Sequence, residues 1–246
     1  MSGRWLAIDT ATDCVSVAAG GPPVAEAGAH VQGARRHAAE IIRLVDFALR
    51  RLGLEPKDLE GIVVGDGPGS FTGLRIGWAA AKGLAQEAGL ELRAVPSLMA
   101  AAAGAAIKLG PSPVPVAAWF DALRGQVYGA VYVFHPDRVE TLVAPTVIVP
   151  ADAARMTSAR PARVVGDGAM RYADEARGWS GADPLPLHDV PPGATMLLSL
   201  LRRDGAVRPI DGLTTAEPMY GRPAEAQAKW EARHGRALPG PSRPGR

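Results

Sequence analysis

The chain has 246 residues, 47% apolar and 21% charged, with a formal net charge of +2. Those values exclude global disorder and a strongly basic nucleic-acid-binding body, and leave length for one large domain or two small ones around a real core. The single cysteine, Cys14, excludes an internal disulfide or thiolate cluster; no apolar run reaches the ~18 residues of a membrane span, and Asp9 and Asp13 interrupt what a signal peptide would need, so a cytoplasmic protein is expected.

Residues 5–8 (Trp-Leu-Ala-Ile) read as a first strand ending at Asp9-Thr10, 14–18 as a second after a Thr12-Asp13 turn, and 24–29 as a third. Three consecutive strands predict an antiparallel meander at one side of a sheet. From 35 to 51, Ile41, Leu44, Val45, Ala48 and Leu49 form an apolar helical stripe that Gly53 is placed to end. A strand at 61–64, a helix over 74–88, a strand near 92–95 and an Ala-rich helix from Ser97 complete this half in the order βββαβαβα.

Between the 61–64 strand and its helix lies Gly-Asp-Gly-Pro-Gly-Ser-Phe-Thr-Gly-Leu-Arg-Ile-Gly, residues 65–77. Strand, glycine turn and helix start can point free amides at an anion. The P-loop pattern fails, because Gly73 is followed by Leu74-Arg75, and the dinucleotide spacing fails as well. Two readings remain: a tight turn using glycine for positive φ, or a phosphate loop.

The run 110–115 (Gly-Pro-Ser-Pro-Val-Pro) punctuates the chain and predicts a boundary between subdomains of 1–109 and 110–222. Beyond it, strands are predicted at 116–120, 126–134, 139–149 and 163–165, with helices after Pro150, at 170–176 and at 195–203, then an extended piece through Pro218-Met219-Tyr220. The second half repeats the scheme of strands followed by alternation, so a duplicated α/β fold is expected. From 219 to 246 there are six Lys or Arg against two Glu, in Gly- and Pro-rich sequence. That basic tail, 223–246, is expected to be disordered from about 235.

Such a duplication resembles the actin–sugar kinase–Hsp70 superfamily. Ile8-Asp9-Thr10, the 65–77 segment, Val95-Pro96-Ser97-Leu98, the run 121–128 (Asp-Ala-Leu-Arg-Gly-Gln-Val-Tyr) and Pro218-Met219-Tyr220-Gly221-Arg222 together resemble the TsaB (YeaZ) family. The resemblance covers about residues 4 to 222. It implies a non-catalytic partner of the transferase TsaD in forming N6-threonylcarbamoyladenosine (t6A) at position 37 of tRNA. ATP and metal would reside in partner subunits, the ATPase TsaE would join, and the isolated chain could pair with a second copy.

Asp9 and Thr10 stand where a superfamily kinase places its first phosphate loop, but that loop has no glycine here, so they are nucleotide candidates or simple strand terminators. The five histidines show no His-x-x-x-His pair. The resemblance places the metal-binding pair of TsaD on Ser97 and Ala101, neither of which ligates as histidine does. The helix 74–88 is poor in bulk around most of its circumference, which suits close approach of another helix. The resemblance implies that it lies beside the 35–51 helix and meets the partner, with His37, Ile41, Leu44, Val45, Gly73, Leu74, Gly77, Trp78 and Ala81 as contacts. On that assignment Gly77→Leu should weaken association and spare the fold. The alternatives are an ATP-dependent small-molecule kinase and a metallopeptidase.

Overall fold

Two sheets share one repeated strand order. The computed structural model describes residues 3–33 and 37–222, the side chain of His37 excepted. In the first sheet β1 (Arg4–Asp9), β2 (Cys14–Gly20) and β3 (Ala27–Gln32) form the antiparallel meander. Helix α1 (His37–Arg51) then leads to β4 (Leu59–Gly65), and α2 (Phe71–Ala88) leads to β5 (Glu91–Val95). Strand β4 lies parallel to both β1 and β5, as strand–helix–strand crossovers allow. Helix α3 (Ser97–Leu109) carries the chain to the second sheet, where β6 (Pro115–Asp121), β7 (Val127–Phe134) and β8 (Val139–Ile148) repeat the meander. Strand β9 (Arg163–Val165) repeats the parallel neighbour. The orders β3-β2-β1-β4 and β8-β7-β6-β9 therefore match. A single parallel bridge, Val165 to Leu185, stands where β5 extends the first sheet.

The remaining elements are α4 (Asp167–Arg171), α5 (Ala173–Ser180), α6 (Gly193–Leu200) and the two-residue β10 (Arg208–Pro209). The 110–115 loop separates the strands of the two sheets, yet the chain beyond 190 returns to the first. Helix α6 packs on β1, β2 and β4, and β10 pairs with the free edge of β5.

Side-chain alternation decides the layering. On β1, Leu6 and Ile8 face one core with α1 and α2, while Trp5 and Ala7 face the other with α3 and α6. Helix α3 is buried at every position from Ser97 to Ala105, as expected of a helix apolar on all sides that sits between two layers. Its small residues let the second sheet and α6 approach it closely. In the second half, Trp119 of β6 stacks on Trp179 of α5 at 5.6 Å between centroids.

Several boundaries differ from expectation for local reasons. Strand β3 begins at Ala27, not 24, because residues 21–26 fold into a turn with Val24 N–H donating to the Gly21 carbonyl. Helix α2 begins three residues early because the Ser70 hydroxyl accepts from the Gly73 amide and caps it, which contributes about 1 kcal/mol. The helix after Pro150 is a six-residue 3-10 segment. The helix expected at 170–176 is two, broken at Tyr172, whose ψ of 52° is not helical.

Candidate functional site

The glycines of the 65–77 segment serve the chain's own packing. Gly65, Gly69, Gly73 and Gly77 recur every four residues, and each lies against the end of β1 and the turn after it. A side chain at Gly69 would strike the Ala11 carbonyl, one at Gly73 the Thr10 carbonyl, and one at Gly77 the Thr10 hydroxyl. Gly67 has φ +87° and also backs onto the Met219 carbonyl. Three amides of the loop are engaged within the protein as well. Asp66 N–H donates to the Val95 carbonyl, Ser70 N–H to the Ala11 carbonyl, and Gly67 N–H to Ser97 Oγ at 3.3 Å. Pro68 has no N–H to offer. Of the two readings of this loop, its geometry matches the structural turn.

The cleft between the sheets holds Asp9, with Thr10 beside it, both buried. Asp9 accepts hydrogen bonds from Ser97 Oγ at 3.0 Å and the Ala11 amide at 3.3 Å. Ser97 and Ala101, the positions that correspond to a metal pair in the resemblance, line the same cavity as Asp9, Thr12, Cys14 and Ser16. The cavity measures about 50 Å³, against the ~300–1,000 Å³ of pockets that enclose a cofactor-sized ligand. The first turn of α6 closes it: Gly193 sits on the Asp9 carboxylate, and the Ala194 amide donates to Ser16 Oγ at 3.1 Å. Burial, reinforced by the nearby Asp9, raises the Cys14 thiol to about 11. Among the described residues, no group of three His, Cys, Asp or Glu side chains is arranged to hold a metal ion.

The 65–77 segment is also clamped from outside. Asp66, 1% exposed, receives a bidentate ion pair from Arg208 with closest approach 2.7 Å. Burial raises the Asp66 carboxyl from its ordinary value, while Arg208 and the Met219 amide oppose that shift. The Arg208 guanidinium lies 5.7 Å from the Trp78 ring centroid, and Trp78 Nε1–H donates to the Gly65 carbonyl. Beyond β10, residues 216–222 run along α2. Lys82 Nζ donates to the Ala216 carbonyl, Tyr220 packs on Phe71 at 4.7 Å, and Arg222 donates to the Ala122 carbonyl and to Gln126 Oε1. The motif 218–222 thereby joins the glycine segment to the β6–β7 turn, where Leu123 and Arg124 adopt positive φ of 61° and 53°.

The helices α1 and α2 lie side by side against the first sheet. The residues assigned above to a partner contact need correction. Ile41, Leu44, Val45, Gly73, Leu74, Gly77, Trp78 and Ala81 all face inward and are buried in the chain's own core. The side chain of His37 lies outside the described residues. The outward faces carry different residues. On α1 these are Ala38, Ala39, Ile42 (57% exposed) and Phe47 (48%). On α2 a stripe at helical spacing runs through Thr72, Ile76, Ala79 and Gly83, all exposed or half-buried. Neither these exposed residues nor the Asp66–Arg208 clamp shows as a pattern in the sequence.

Two sheets of matching order, each a meander followed by a parallel neighbour, with a cleft between them, define the actin-like class of duplicated α/β proteins. The family model for "TsaD: tRNA N6-adenosine threonylcarbamoyltransferase" matches residues 31–173. The tRNA threonylcarbamoyladenosine biosynthesis protein TsaB of Bacillus subtilis is 32% identical over 80% of this chain and 84% of its own length. TsaB of Escherichia coli is 38% identical over 59% of this chain, and the match spans 64% of that relative, just under two thirds. The solved structure of YeaZ from Pseudomonas aeruginosa superposes with a TM-score of 0.72 at 26% identity, covering 89% of this chain and 99% of that one. The chain belongs to the TsaB (YeaZ) family. Among the described residues no helix is long and apolar enough to cross a membrane.

Proposed function

We propose that this chain is a non-catalytic subunit in the making of N6-threonylcarbamoyladenosine on tRNA, acting in the cytoplasm as the partner of TsaD. The family name ties the relatives to that modification. The observation that carries the non-catalytic part is the cleft. Its cavity of about 50 Å³ is closed by α6, and Ser97 and Ala101 stand at the positions where the resemblance puts histidines. Three adjoining loop amides, of Asp66, Ser70 and Gly67, are engaged with Val95, Ala11 and Ser97, which weighs against a cradle like that of a phosphate loop. These features weigh against the kinase and metallopeptidase alternatives. ATP and metal would then be held by the partners, TsaD and the ATPase TsaE, and tRNA would be bound by the assembly.

The exposed apolar positions on α1 and α2 support the docking role. They place Ile42 with Ala38 on one flank of α1, and Ile76, Ala79 and Gly83 on the adjacent α2, small residues that allow helix-to-helix approach. A stable contact there would reach the ~1,200–2,000 Å² of ordinary complexes, and in the absence of TsaD the same face would serve a second copy. The test is capture of TsaD by the wild-type chain and by Ile42→Asp, with ATP hydrolysis and threonylcarbamoyl transfer measured for the chain alone. The reading expects capture by the wild type, none by the variant, and background turnover. Turnover of ~1 s⁻¹ by the pure chain would overturn it.

A further inference from the structure

A second stripe of α2, adjoining the docking face at Ala79, lines a groove of about 640 Å³ with residues 216–222 as its opposite wall. Phe71, Arg75, Trp78 and Lys82 recur at helical spacing along one side, and Tyr220 and Arg222 stand across from them. Three cations therefore face one another in this groove, against a single carboxylate, Glu217. Lys82 and Arg222 are held in place by neutral carbonyl and amide oxygens, at Ala216, Ala122 and Gln126, so neither charge is cancelled by its anchor. Arg75 is exposed and lies 5.6 Å from the Phe71 ring centroid; Phe71 keeps 38% of its surface open beside Tyr220. The last described residue, Arg222, is a wall of the groove, and the 24 residues that follow it in sequence carry five Lys or Arg against two Glu. Cations flanking an open aromatic pair suit a single-stranded nucleic acid, whose phosphates take the charges while a base or ribose covers the rings.

We infer that the groove between α2 and residues 216–222 is an RNA-binding surface, with Arg75, Lys82 and Arg222 on phosphates and Phe71 with Tyr220 against an unpaired nucleotide. The choice of RNA over DNA rests on the proposed role in tRNA modification; the groove itself does not depend on TsaD. A protein whose formal charge is only +2 needs its cations concentrated in this way to hold a polyanion.

The test uses the full chain and a chain ending at Arg222, each with a fluorescein-labelled 12-nucleotide oligouridylate and with unfractionated tRNA, by anisotropy from 50 to 200 mM salt. Arg75→Ala should weaken binding several-fold and lower the slope of log K against log salt by about 0.7, one phosphate contact on a single strand. Phe71→Ala should weaken binding about tenfold with the slope unchanged. Both effects should persist in the shortened chain, which binds less tightly overall. Arg75 is exposed, so its variant should melt as the wild type does; should Phe71→Ala not fold, the Arg75 slope still decides. Binding that vanishes with the tail, or that ignores Arg75 in the shortened chain, would overturn the inference. So would a poly-glutamate 12-mer that competes as well as RNA, because the site would then read charge alone. TsaD capture by the same variants separates the two proposals: Arg75→Ala should capture TsaD normally, and a wild-type chain that binds RNA but not TsaD would sink the proposed function and leave the groove standing.

Discussion

Replacing Arg208 with alanine removes the cation that faces a carboxylate buried to 1% exposure. Breaking a fully buried pair costs about 3–5 kcal/mol, because the remaining charge is left without a partner. Here the Arg208 side chain is 46% exposed, so water can reach part of the gap, and we expect a loss of about 2–3 kcal/mol. That includes a few tenths to ~1 kcal/mol from the guanidinium beside Trp78. For a chain of this size the loss lowers Tm by roughly 5–10 °C. The pH dependence has a definite sign. Burial already raises the Asp66 carboxyl in the folded protein, and Arg208 is the chief group holding it down. With Arg208 gone the folded value rises further above the unfolded one. Stability from a raised carboxyl is complete below the unfolded pKa, ~3.9, and is lost as pH climbs through the folded value. The penalty of Arg208→Ala should therefore be smaller at pH 5 than at pH 8, and Asp66→Asn in the same background should recover part of it at pH 8. Thermal melts of the wild type, the single variant and the double variant at both pH values measure this. A penalty under ~0.5 kcal/mol at pH 8, or one larger at pH 5, would refute the assignment of Arg208 as the clamp on the 65–77 segment.

Further outcomes follow from the same geometry. Gly77→Leu should fail as an interface probe, because the new side chain meets Thr10 inside the fold; a loss of ~1–3 kcal/mol or more in chemical denaturation is expected, and a normal melt would contradict it. Ile42→Asp, on the exposed face of α1, should leave the melt within ~0.5 kcal/mol of wild type while abolishing TsaD capture, as read by pull-down and melting in parallel. The Cys14 thiol, raised to about 11, should react with iodoacetamide at pH 8 far more slowly than in the urea-unfolded chain, and accelerate as pH approaches that value. Equal rates at pH 8 would show the thiol to be unburied.

The strands were legible where β-branched runs are continuous, as in Ile62-Val63-Val64 at the centre of the first sheet. The duplicated fold was legible for the same reason, since each half opens with its own hairpin-linked runs. What the sequence concealed has identifiable causes. Strand β3 was shifted because Val24 reads as a strand residue, although it is 59% exposed in a turn closed by Gly21. Strand β10 has two residues, too few for any period. Asp66 and Arg208 are 142 residues apart, and only the fold brings them together. The residues expected to meet a partner lie in the core for an instructive reason. A stripe at Ile41, Leu44, Val45 and Ala48 is strong because it fits the core, so periodicity selects the residues a partner cannot touch. The apolar residues of this helix that stay exposed, Ile42 and Phe47, lie off that stripe, and burial alone distinguishes them. The glycines of 65–77 could not be interpreted by spacing, since their partner is the turn after β1, more than fifty residues earlier. In the cleft, Asp9 and Thr10 were recognised as strand-end residues, but nothing in the sequence said that Gly193 would sit on the carboxylate.

The measurement that bears most directly on the proposed role is reconstitution of t6A synthesis, read as modified nucleoside in tRNA by mass spectrometry. Threonylcarbamoyl-adenylate, ATP and tRNA would be supplied to TsaD and TsaE with no addition, with this chain, or with its Ile42→Asp variant, and to this chain alone. The account predicts product only where TsaD, TsaE and the wild-type chain are together, with the variant and the chain alone at background. Product from the chain alone, or undiminished product when it is left out, would contradict it.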